Sequence, residues 1–509
     1  MPGERGDLEG FLSEAGRVGS QIRDKAGEGL RFLVVSHFDA DGLAAGAIMA
    51  KALLRWGASI HVKVAMQLDE ATLKSLKPIE RDITVFSEIG SGYLNLITEN
   101  IKGPVFILDH HPPGDVETEA GPGIVHLNPM IYGFDGGREI SGSGVNYLAV
   151  KAADPGNINL APLAVVGALG DMQDRNEKRE LLSLNRLVVE DGVKAGLLKV
   201  ERDLIFYGRE TRPIHRALAS TTTPFLPGLT GREDACLAFL SSVEIPVREG
   251  ERWRTVASLT MEEKKRLISG IVEYLTVHGF QGSLAQGLLG GVYTLTMEEE
   301  GSILRDAREY SSALNACGRM DKPGLGIAVC LGDRGESLRE LEDLVREYRQ
   351  VLGKHMDWIA QNPDRIQSLE GFHIVRGEDY IDENLVGAVA SMLSASALVA
   401  MARPPIVPAK SRDGLVKISA RATEKLVMEG VKLGEAFSAL STMYSGIGGG
   451  HDIAAGAQIP PERLEEYLEK LNGKLSRQRT RAAASHYTKK SIHEVDGDAA
   501  SSSTAPTQP

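Results

Sequence analysis

The feature that most constrains the fold of this chain is a set of polar segments that directly follow apolar runs. Five apolar runs predict strands: 32–35, 60–65, 83–87, 104–108 and 163–169. Helix-like stretches separate them, which is the βαβ rhythm of a parallel sheet. His37-Phe38-Asp39-Ala40-Asp41 follows the first run, and Asp109-His110-His111 follows the fourth. Because the carboxyl ends of parallel strands meet at one edge of the sheet, we expect these side chains to gather there.

The side chains at these strand ends are carboxylates and imidazoles. A mixed oxygen and nitrogen set without thiolate suits manganese or magnesium better than structural zinc. Asp39 and Asp41 leave the strand end on the same side because they are two residues apart. Alone, this segment also fits a fragment of a calcium loop, although no downstream spacing completes an EF-hand, and a lone Asp109 or Asp171 is most often a helix cap. Together the segments predict a two-metal phosphoesterase.

Further stretches extend this pattern along the chain: Gly167–Asp174, Arg305–Tyr310 with Asn315–Met320, and Gly448–Gly456. With them, the chain resembles the DHH phosphoesterase superfamily, whose name comes from triplets such as Asp109-His110-His111. Within that superfamily it is most similar to the archaeal RecJ-like branch, which includes the GINS-associated nuclease. The resemblance spans roughly residues 30 to 470.

The resemblance implies a ligand set for two ions, which we expect to be manganese, with magnesium as the alternative. The ligands fall into two groups, one for each ion: His37 and Asp39 in the first, and Asp41, His110 and Asp171 in the second. His111 would face the substrate phosphate or the leaving group, and Asp109 would orient the cluster. These two residues are therefore the catalytic candidates.

One position departs from the pattern of the superfamily. The segment 83–92 aligns with the one that ordinarily supplies an aspartate bridging both ions, and here the residue is Glu88. Asp82 lies at the start of the strand and cannot replace it without a change of register. Glutamate can also bridge metals, but its additional methylene shifts the carboxylate by roughly 1 Å unless the backbone compensates, and such misplacement can cost about 100-fold in rate. Glu88 is the predicted bridging ligand.

The C-terminal part carries the predicted nucleic-acid-binding residues. Between residues 403 and 425 there are six basic and two acidic side chains, a local excess in an acidic chain. By resemblance, a phosphate-binding pair and a glycine-rich signature lie here: Ser419, Arg421, Gly448, Gly449, Gly450 and His451. Glycines let the main chain approach a phosphate, and an arginine can bind one through two hydrogen bonds. A solvated surface and a glycine-rich turn without ligand are the alternatives.

A second glycine-rich segment lies in the first half of the chain. Ser141-Gly142-Ser143-Gly144 opens a predicted helix. Its amides could bind an anion, whereas an ordinary helix N-cap is the more frequent meaning of such a segment.

The predicted fold is α/β, with a doubly wound parallel-sheet DHH domain, a smaller α/β DHH-associated domain and a helical insertion between them. The predicted boundaries are a leading helix at 1–30, the DHH catalytic domain at 31–195, an inserted, mostly helical module at 196–300, a connecting segment with a long helix at 301–365, the DHH-associated substrate-binding domain at 366–474 and a disordered tail at 475–509. In the connecting segment, Leu325–Cys330 is strand-like.

Composition excludes several classes of protein. The formal net charge of −12 argues against a protein that coats nucleic acid non-specifically, but it allows a local grip on a strand. The three cysteines are far apart and form neither a disulfide framework nor a zinc site. Met1–Asp7 lacks the apolar core of a signal peptide, and no stretch approaches the ~20 apolar residues that cross a bilayer. We expect a cytoplasmic protein without a membrane partner.

These observations predict a two-metal exonuclease that acts on single-stranded DNA, with RNA as a further substrate. The resemblance favours 5′-to-3′ digestion and implies the GINS complex as a partner, in replication or repair. One alternative is a phosphodiesterase for short oligonucleotides or cyclic dinucleotides, which the chain length and the middle insertion disfavour. The other is a non-catalytic GINS-binding replication factor, which Glu88 favours and the otherwise complete ligand set opposes.

Overall fold

The structure is a computed structural model, and it describes residues 6–114, 123–221, 224–394, 396, 398–399, 402–444 and 446–480. The chain divides into two units, Met1–Tyr348 and Arg349–Pro509. Over the described ranges, no helix combines the length and the apolar character needed to cross a membrane.

A parallel sheet of five strands organises the first unit. Its strands are β1 (Arg31–His37), β2 (Ser59–Ala65), β3 (Ile83–Ser87), β4 (Val105–Leu108) and β5 (Ile124–Leu127). They lie in the order β2-β1-β3-β4-β5. β3 and β4 are mostly apolar and are buried throughout, which is typical of parallel strands covered on both faces. The chain order reverses between β1 and β3, so their carboxyl ends flank the crevice where open α/β sheets bind ligands.

Helices cover both faces of this sheet. They are α1 (Leu8–Gly27), α2 (Ala40–Arg55), α3 (Glu70–Leu76), α4 (Leu94–Asn100), α5 (Gly142–Ala153), α6 (Ala161–Gly170) and α7 (Ser183–Lys194). Apolar side chains of α3 and α4, such as Leu73 and Ile97, pack with Leu33, Phe86 and Ile107 of the sheet. On the opposite face α2, α5 and α6 contact one another, and α2 and α5 contact the strands. This arrangement confirms the predicted doubly wound α/β fold.

A module with its own core follows α7. Its elements are β6 (Leu198–Leu204), α8 (Ile214–Ala219), α9 (Glu233–Ser242), β7 (Arg248–Glu249), β8 (Arg252–Trp253), α10 (Met261–Val277) and β9 (Leu289–Leu295). β6 and β9, the first and last strands of the module, pair antiparallel along their whole length and so join its two ends. Leu218, Leu240 and Ile271 are fully buried in its core. Thr260 and Glu263 form a capping box that starts α10.

Three helices complete the connection to the second unit: α11 (Ala307–Arg319), α12 (Pro323–Leu331) and α13 (Glu336–Gln361). α11 packs against α6 and against α2, the helix that follows β1. Through these contacts α11 reaches the edge of the sheet where the polar segments lie.

The second unit contains a mixed sheet of six strands. Its elements are β10 (Ile366–Ser368), β11 (His373–Val375), α14 (Val386–Ser394), β12 (Pro405–Lys410), β13 (Val416–Arg421), α15 (Glu424–Met428), α16 (Leu433–Ser441), β14 (Ile447–His451), β15 (Ala454–Ile459) and a helix over 464–480. The strand order is β10-β11-β12-β13-β15-β14. Phe372, Ile418, Phe437 and Tyr467 are among the buried residues of its core.

The structure differs from the sequence predictions in three places. The runs 163–169 and Leu325–Cys330, predicted as strands, lie in α6 and α12. Both runs are apolar without interruption, and such runs do not distinguish a buried strand from a buried helix. The last helix continues to residue 480, so the predicted disordered tail does not begin at 475; its part from 481 onward lies outside the described residues.

Candidate metal centre

Three overlapping sets of side chains, which follow β1, β3, β4 and α6, could hold a metal ion. The sets are His37, Asp39 and Glu88; Asp41, Glu88, His110 and Asp171; and Glu88, His110 and His111. In each set the candidate ligand atoms all lie within 4.8 Å of one another. The structure thus brings together every residue that the sequence predicts as a metal ligand, and Glu88 belongs to all three sets.

The two carboxylate oxygens of Glu88 face different groups. Oε2 lies 3.3 Å from Nδ1 of His37, which is itself 3.0 Å from Oδ2 of Asp39. Oε1 lies 3.6 Å from Nε2 of His110, and that nitrogen is 3.3 Å from Oδ2 of Asp171. One carboxylate therefore joins the two predicted ligand groups, which is the geometry of a bridge between two ions.

Four buried ligand atoms of the centre have no hydrogen-bond partner among the described residues. They are Nδ1 of His37, both carboxylate oxygens of Glu88 and Nε2 of His110. An unpartnered buried polar atom costs about 1–3 kcal/mol, so four in one cluster require a ligand or a functional reason. Carboxylate oxygens and imidazole nitrogens that converge on one small volume fit a divalent cation such as Mn²⁺ or Mg²⁺.

The carboxylates crowd one another in a buried environment. Burial raises the pKa of Asp41 to about 6, with Glu88 acting in the same direction and His110 opposing it. Burial and the nearby Asp41 raise the pKa of Asp171 well above its usual range. The group thus concentrates more negative charge than burial tolerates, and a bound divalent cation would relieve the repulsion.

The amino terminus of α5 holds Asp41. Its carboxylate accepts hydrogen bonds from the backbone N–H groups of Gly142, at 2.6 Å, and Ser143, at 3.0 Å. Of the two meanings that the sequence left open for Ser141-Gly142-Ser143-Gly144, the helix N-cap is present, because Oγ of Ser141 accepts from the N–H of Gly144. The amides that directly follow Ser141 bind the carboxylate of Asp41, which lies where the helix dipole favours negative charge.

Glu88 has an unusual backbone conformation that accommodates its longer side chain. Its φ is 65°, in the left-handed region that residues other than glycine rarely adopt. A Cβ on Gly142 would lie 2.3 Å from Cγ and 2.9 Å from Cα of Glu88, so only glycine fits beside it. A left-handed backbone at Glu88 and a glycine at position 142 thus occur together at the position that departs from aspartate.

The aspartate of the Asp109-His110-His111 triplet orients the loop after β4. Asp109 is fully buried, and it accepts hydrogen bonds from the N–H groups of Ser91, His110 and His111 and from Nδ1 of His111. Burial opposes its ionisation, but His111 holds its pKa below the usual range. Burial likewise opposes the charge on His111, yet Asp109 raises the pKa of that histidine to about 9. Nε2 of His111 lies 3.7 Å from Oε1 of Glu88, and its side chain is 46% exposed at the open side of the centre.

A second hydrogen-bond chain fixes His110. Its Nδ1 donates to the carbonyl of Gly136 at 2.6 Å, which directs Nε2 toward the cluster. The same carbonyl accepts from Nε2 of Gln173, whose Oε1 accepts from Asn185. A Cβ on Gly136 would lie 1.9 Å from the carbonyl oxygen of His110, so the main chain passes directly over the histidine. No local sequence pattern marks Gly136, Gln173 or Asn185 as members of this hydrogen-bond chain, so none of the three was predicted as a site residue.

α11 supports the segment that carries His37 and Asp39. The N–H of Ala40 donates to Oδ1 of Asn315 at 3.1 Å. A Cβ on Gly318 would lie 2.0 Å from the carbonyl oxygen of Phe38. Both supporting residues belong to the stretch 315–320 that the resemblance singled out, and the structure gives that stretch a positioning role.

Asp171 follows a helix, so the expectation that every polar segment ends a strand is wrong at this position. It caps the carboxyl end of α6, and α6 brings it beside His110. Three residues on, Asp174 is buried and pairs with Arg308 of α11 at 2.7 Å. This ion pair ties the segment after α6 to the helix that supports the His37 segment.

The predicted nucleic-acid-binding residues come together on β13 and β14 of the second unit. Ser419 and Gly449 both pair with Gly456 of β15, and Arg421 and His451 both pair with Ala454. The residues therefore form two neighbouring rows across three strands, with small side chains on the middle strand. We call Ser419, Arg421 and Gly448–His451 the β13–β14 surface.

Two serines hold the guanidinium of Arg421. Its Nη1 donates to Oγ of Ser419 and its Nε to Oγ of Ser391, each at 3.0 Å. A Cβ on Gly387 would lie 3.0 Å from Nη2 of Arg421, so α14 passes close to the guanidinium. Ser391 was not predicted, because it lies 30 residues from Arg421 and no motif marks it.

Comparisons with known proteins agree with this architecture. Residues 206–289 match the DHH-CID domain family, and residues 371–477 match the DHHA1 domain family. An uncharacterised protein of Methanocaldococcus jannaschii is 29% identical over 465 residues, which are 91% of this chain and 97% of that protein. The single-stranded-DNA-specific exonuclease RecJ of Thermus thermophilus is 27% identical over 200 residues, which are 36% of this chain and 28% of RecJ.

Solved structures show the same fold. RecJ of Thermus thermophilus in complex with Mn²⁺ aligns with a TM-score of 0.55 at 17% identity, over 91% of this chain and 55% of RecJ, and its complex with Mg²⁺ gives 0.50. The chain thus spans about half the length of that RecJ structure. CDC45 from Entamoeba histolytica aligns with a TM-score of 0.60 at 11% identity, over 91% of this chain and 99% of CDC45. The chain thus carries regions similar to the DHH-CID and DHHA1 domains, and its fold is RecJ-like.

Proposed function

We propose that the protein is a two-metal phosphodiesterase that digests single-stranded nucleic acid from an end, with DNA as the main substrate. The observation that carries this proposal is the shared carboxylate of Glu88. One oxygen faces His37 and the other faces His110, so two ligand groups lie on either side of a single bridge. Structural neighbours solved with Mn²⁺ and with Mg²⁺ support manganese as the working metal and magnesium as its substitute.

Each residue of the centre has a role in this proposal. Two bound divalent ions supply a hydroxide near neutral pH and neutralise charge at phosphorus. His37 and Asp39 would hold one ion, Asp41, His110 and Asp171 would hold the other, and Glu88 belongs to both groups. The side chain of His111 is 46% exposed, and Asp109 favours its protonated form, in which Nε2 can donate a hydrogen bond to a phosphate or leaving-group oxygen. Asp109 accepts from its Nδ1 and orients it.

The second unit supports a strand as the substrate. Arg421 presents a guanidinium beside Ser419, and the glycines of β14 give a phosphate close access to the main chain. The chain contains 5% aromatic residues, which favours contact with the backbone over reading of bases. Likeness to RecJ, named as specific for single-stranded DNA, supports the same substrate class.

A non-catalytic replication factor that binds GINS is the second candidate. The likeness to CDC45 over 91% of the chain supports it. The complete ligand set around Glu88 supports the enzyme instead. The two candidates differ in one outcome: a purely structural factor binds GINS while hydrolysing no strand under any metal condition.

Digestion of single strands labelled at the 5′ or the 3′ end, in DNA and RNA and with added manganese, tests the enzymatic proposal. We expect mononucleotide products from the wild type, with the 5′ label released first. Excess EDTA, Asp41→Asn and Asp171→Asn should each reduce hydrolysis to background, because each removes the metal or one of its ligands.

Asp82→Asn is the matched control, because Asp82 lies at the opposite end of β3 and pairs there with Arg31. That variant should digest strands like the wild type. Hydrolysis that persists in excess EDTA, or in Asp41→Asn, would contradict the two-metal mechanism.

A further inference from the structure

A buried asparagine contacts the backbone of His111 from the segment after β5. Asn128 is fully buried, and its Nδ2 donates to the carbonyl of His111 and to Oγ of Ser91, each at 2.8 Å. Its Oδ1 accepts from the N–H of Met130 at 2.9 Å. The reverse orientation of the amide does not fit, because a carbonyl oxygen cannot donate and a backbone N–H cannot accept. The amide nitrogen of Asn128 is therefore the group that reaches the main chain of His111.

A helix cap alone does not require an asparagine at this position. Asn128 caps the short 3₁₀ helix Pro129–Tyr132 through its Oδ1. Asp154 caps the 3₁₀ helix Pro155–Leu160 in the same way and accepts from the N–H of Gly156 at 2.9 Å. Each of these helices begins with a proline, and a side-chain oxygen is sufficient for the cap at both sites. The two hydrogen bonds that the amide of Asn128 donates therefore serve another purpose.

The main chain beyond His111 has few hydrogen-bond donors of its own. The next two residues, 112–113, are prolines and carry no N–H. The N–H of His111 donates to Oδ1 of Asp109 at 3.2 Å, and the next N–H along the chain is that of Gly114. The bond from Asn128 to the carbonyl of His111 lies between these two points. It anchors the chain exactly where donors are missing.

Ser91 joins Asn128 to the aspartate that orients His111. The N–H of Ser91 donates to Oδ2 of Asp109 at 2.8 Å. Its Oγ accepts from Asn128 and lies 2.8 Å from Nε2 of His126. Ser91, Asp109 and Asn128 are all fully buried, and a buried network whose groups are paired is rigid. His111 is thus held at its N–H, its Nδ1 and its carbonyl.

We propose that Asn128 is a positioning residue that fixes the backbone of His111 and so places Nε2 of that histidine for its hydrogen bond to the substrate. The proposal rests on the proposed function, in which His111 donates that bond. Nε2 of His111 lies 3.7 Å from Oε1 of Glu88, and the side chain is 46% exposed. Because packing holds an exposed ring less firmly, its place depends on the hydrogen bonds of its backbone and of its Nδ1. A shift of about 1 Å at a reacting group can cost on the order of 100-fold in rate.

Asn128→Ser tests this role, because a serine keeps a capping oxygen and lacks the amide that reaches His111. Hydrolysis of an end-labelled single strand is measured with enzyme in excess, and manganese binding is measured by calorimetry without substrate. We expect the maximal rate constant to fall by about 10- to 100-fold, with half-saturation changed by less than about twofold. Manganese affinity should match the wild type, because the partners of Asn128 belong to neither ligand group predicted for the two ions.

Asn128→Asp is the second variant, and it keeps the side-chain volume together with the capping oxygen. An ionised carboxylate has no hydrogen to donate to the carbonyl of His111, so the same pattern is expected. Asn157→Ser is the matched control, because Asn157 is also fully buried and its Nδ2 also donates to a backbone carbonyl, that of Val150, at 3.1 Å. That variant should keep the wild-type rate.

A His111→Ala background separates positioning from a general structural role. If Asn128 acts through His111, Asn128→Ser should change the rate of His111→Ala by less than about twofold. A further loss of about 10- to 100-fold in that background would overturn the inference and leave the proposed function intact. A wild-type rate in either Asn128 variant, or a loss of manganese binding, would do the same. Absence of strand hydrolysis by the wild type would overturn the proposed function and the inference with it.

Discussion

At the scale of single residues, the conformation of Glu88 depends on the space that Gly142 leaves beside it. Glu88 has a left-handed backbone, its carboxylate faces both predicted ligand groups, and Gly142 leaves room for its side chain. Glu88→Asp shortens that reach by roughly 1 Å without changing charge. We expect about a 100-fold loss of strand hydrolysis, although aspartate is the usual residue of the superfamily at this position. The measurement is the initial rate with saturating manganese.

Two further variants distinguish a misplaced Glu88 carboxylate from a general disruption of the fold. Gly142→Ala should also lower the rate, because its Cβ would displace Glu88 while adding no functional group. Gly353→Ala, whose Cβ meets no atom within 4 Å, is the control for the glycine change and should keep wild-type activity. A Glu88→Asp enzyme as fast as the wild type would show that the bridge tolerates either length.

At the scale of elements, α11 joins the metal centre to the inserted module through a buried glutamate. Oε1 of Glu309 accepts from the N–H of Glu210, and Oε2 accepts from Oγ1 of Thr211. Burial, with Asp306 acting in the same direction, raises the pKa of Glu309 to about 7. A folded-state pKa above the ordinary 4.5 gives stability that is complete below about pH 4.5 and is lost as the pH rises through 7.

Glu309→Gln removes this titration and keeps a hydrogen-bonding side chain. The loss in unfolding free energy between pH 5 and pH 8 should therefore be smaller in the variant, by up to about 3 kcal/mol. Urea unfolding at a series of pH values measures it. Glu299→Gln, on an exposed residue, should follow the wild-type curve. Parallel curves for Glu309→Gln and the wild type would mean that Glu309 does not titrate in this range.

The elements also show where sequence reasoning succeeds and where it stops. β1, β3 and β4 were predictable because a buried parallel strand is a short apolar run ended by a polar segment. α6 was not predictable, since a helix that is apolar on all sides lacks the periodic spacing of apolar residues that identifies a helix. The residues that converge on Glu88 were predictable from their chemistry. The roles of Gly136, Gln173 and Asn315 were not predictable, although Gln173 and Asn315 lie in stretches that the resemblance singled out, because each acts through hydrogen bonds or a missing Cβ toward distant parts of the chain.

At the scale of the whole molecule, the residues proposed for hydrolysis and those proposed for strand binding lie in different units of the chain. The centre around Glu88 lies in Met1–Tyr348, and the β13–β14 surface lies in Arg349–Pro509. A substitution in the metal centre should therefore leave the β13–β14 surface intact, and a substitution in that surface should leave the metal centre intact. An acidic chain of net charge −12 gains little from general attraction to a strand, so individual cations should dominate its affinity.

Arg421→Ala should therefore weaken binding to a single strand and reduce the slope of log affinity against log salt by about 0.7, the contribution of one phosphate contact. Binding is measured in an Asp41→Asn background so that the strand stays intact. Arg463→Ala is the control, because Arg463 lies in the same unit and pairs with Glu466 on the surface; its affinity and slope should match those of the parent. If Arg421→Ala binds with the parent's affinity at every salt concentration, the β13–β14 surface binds something other than the strand.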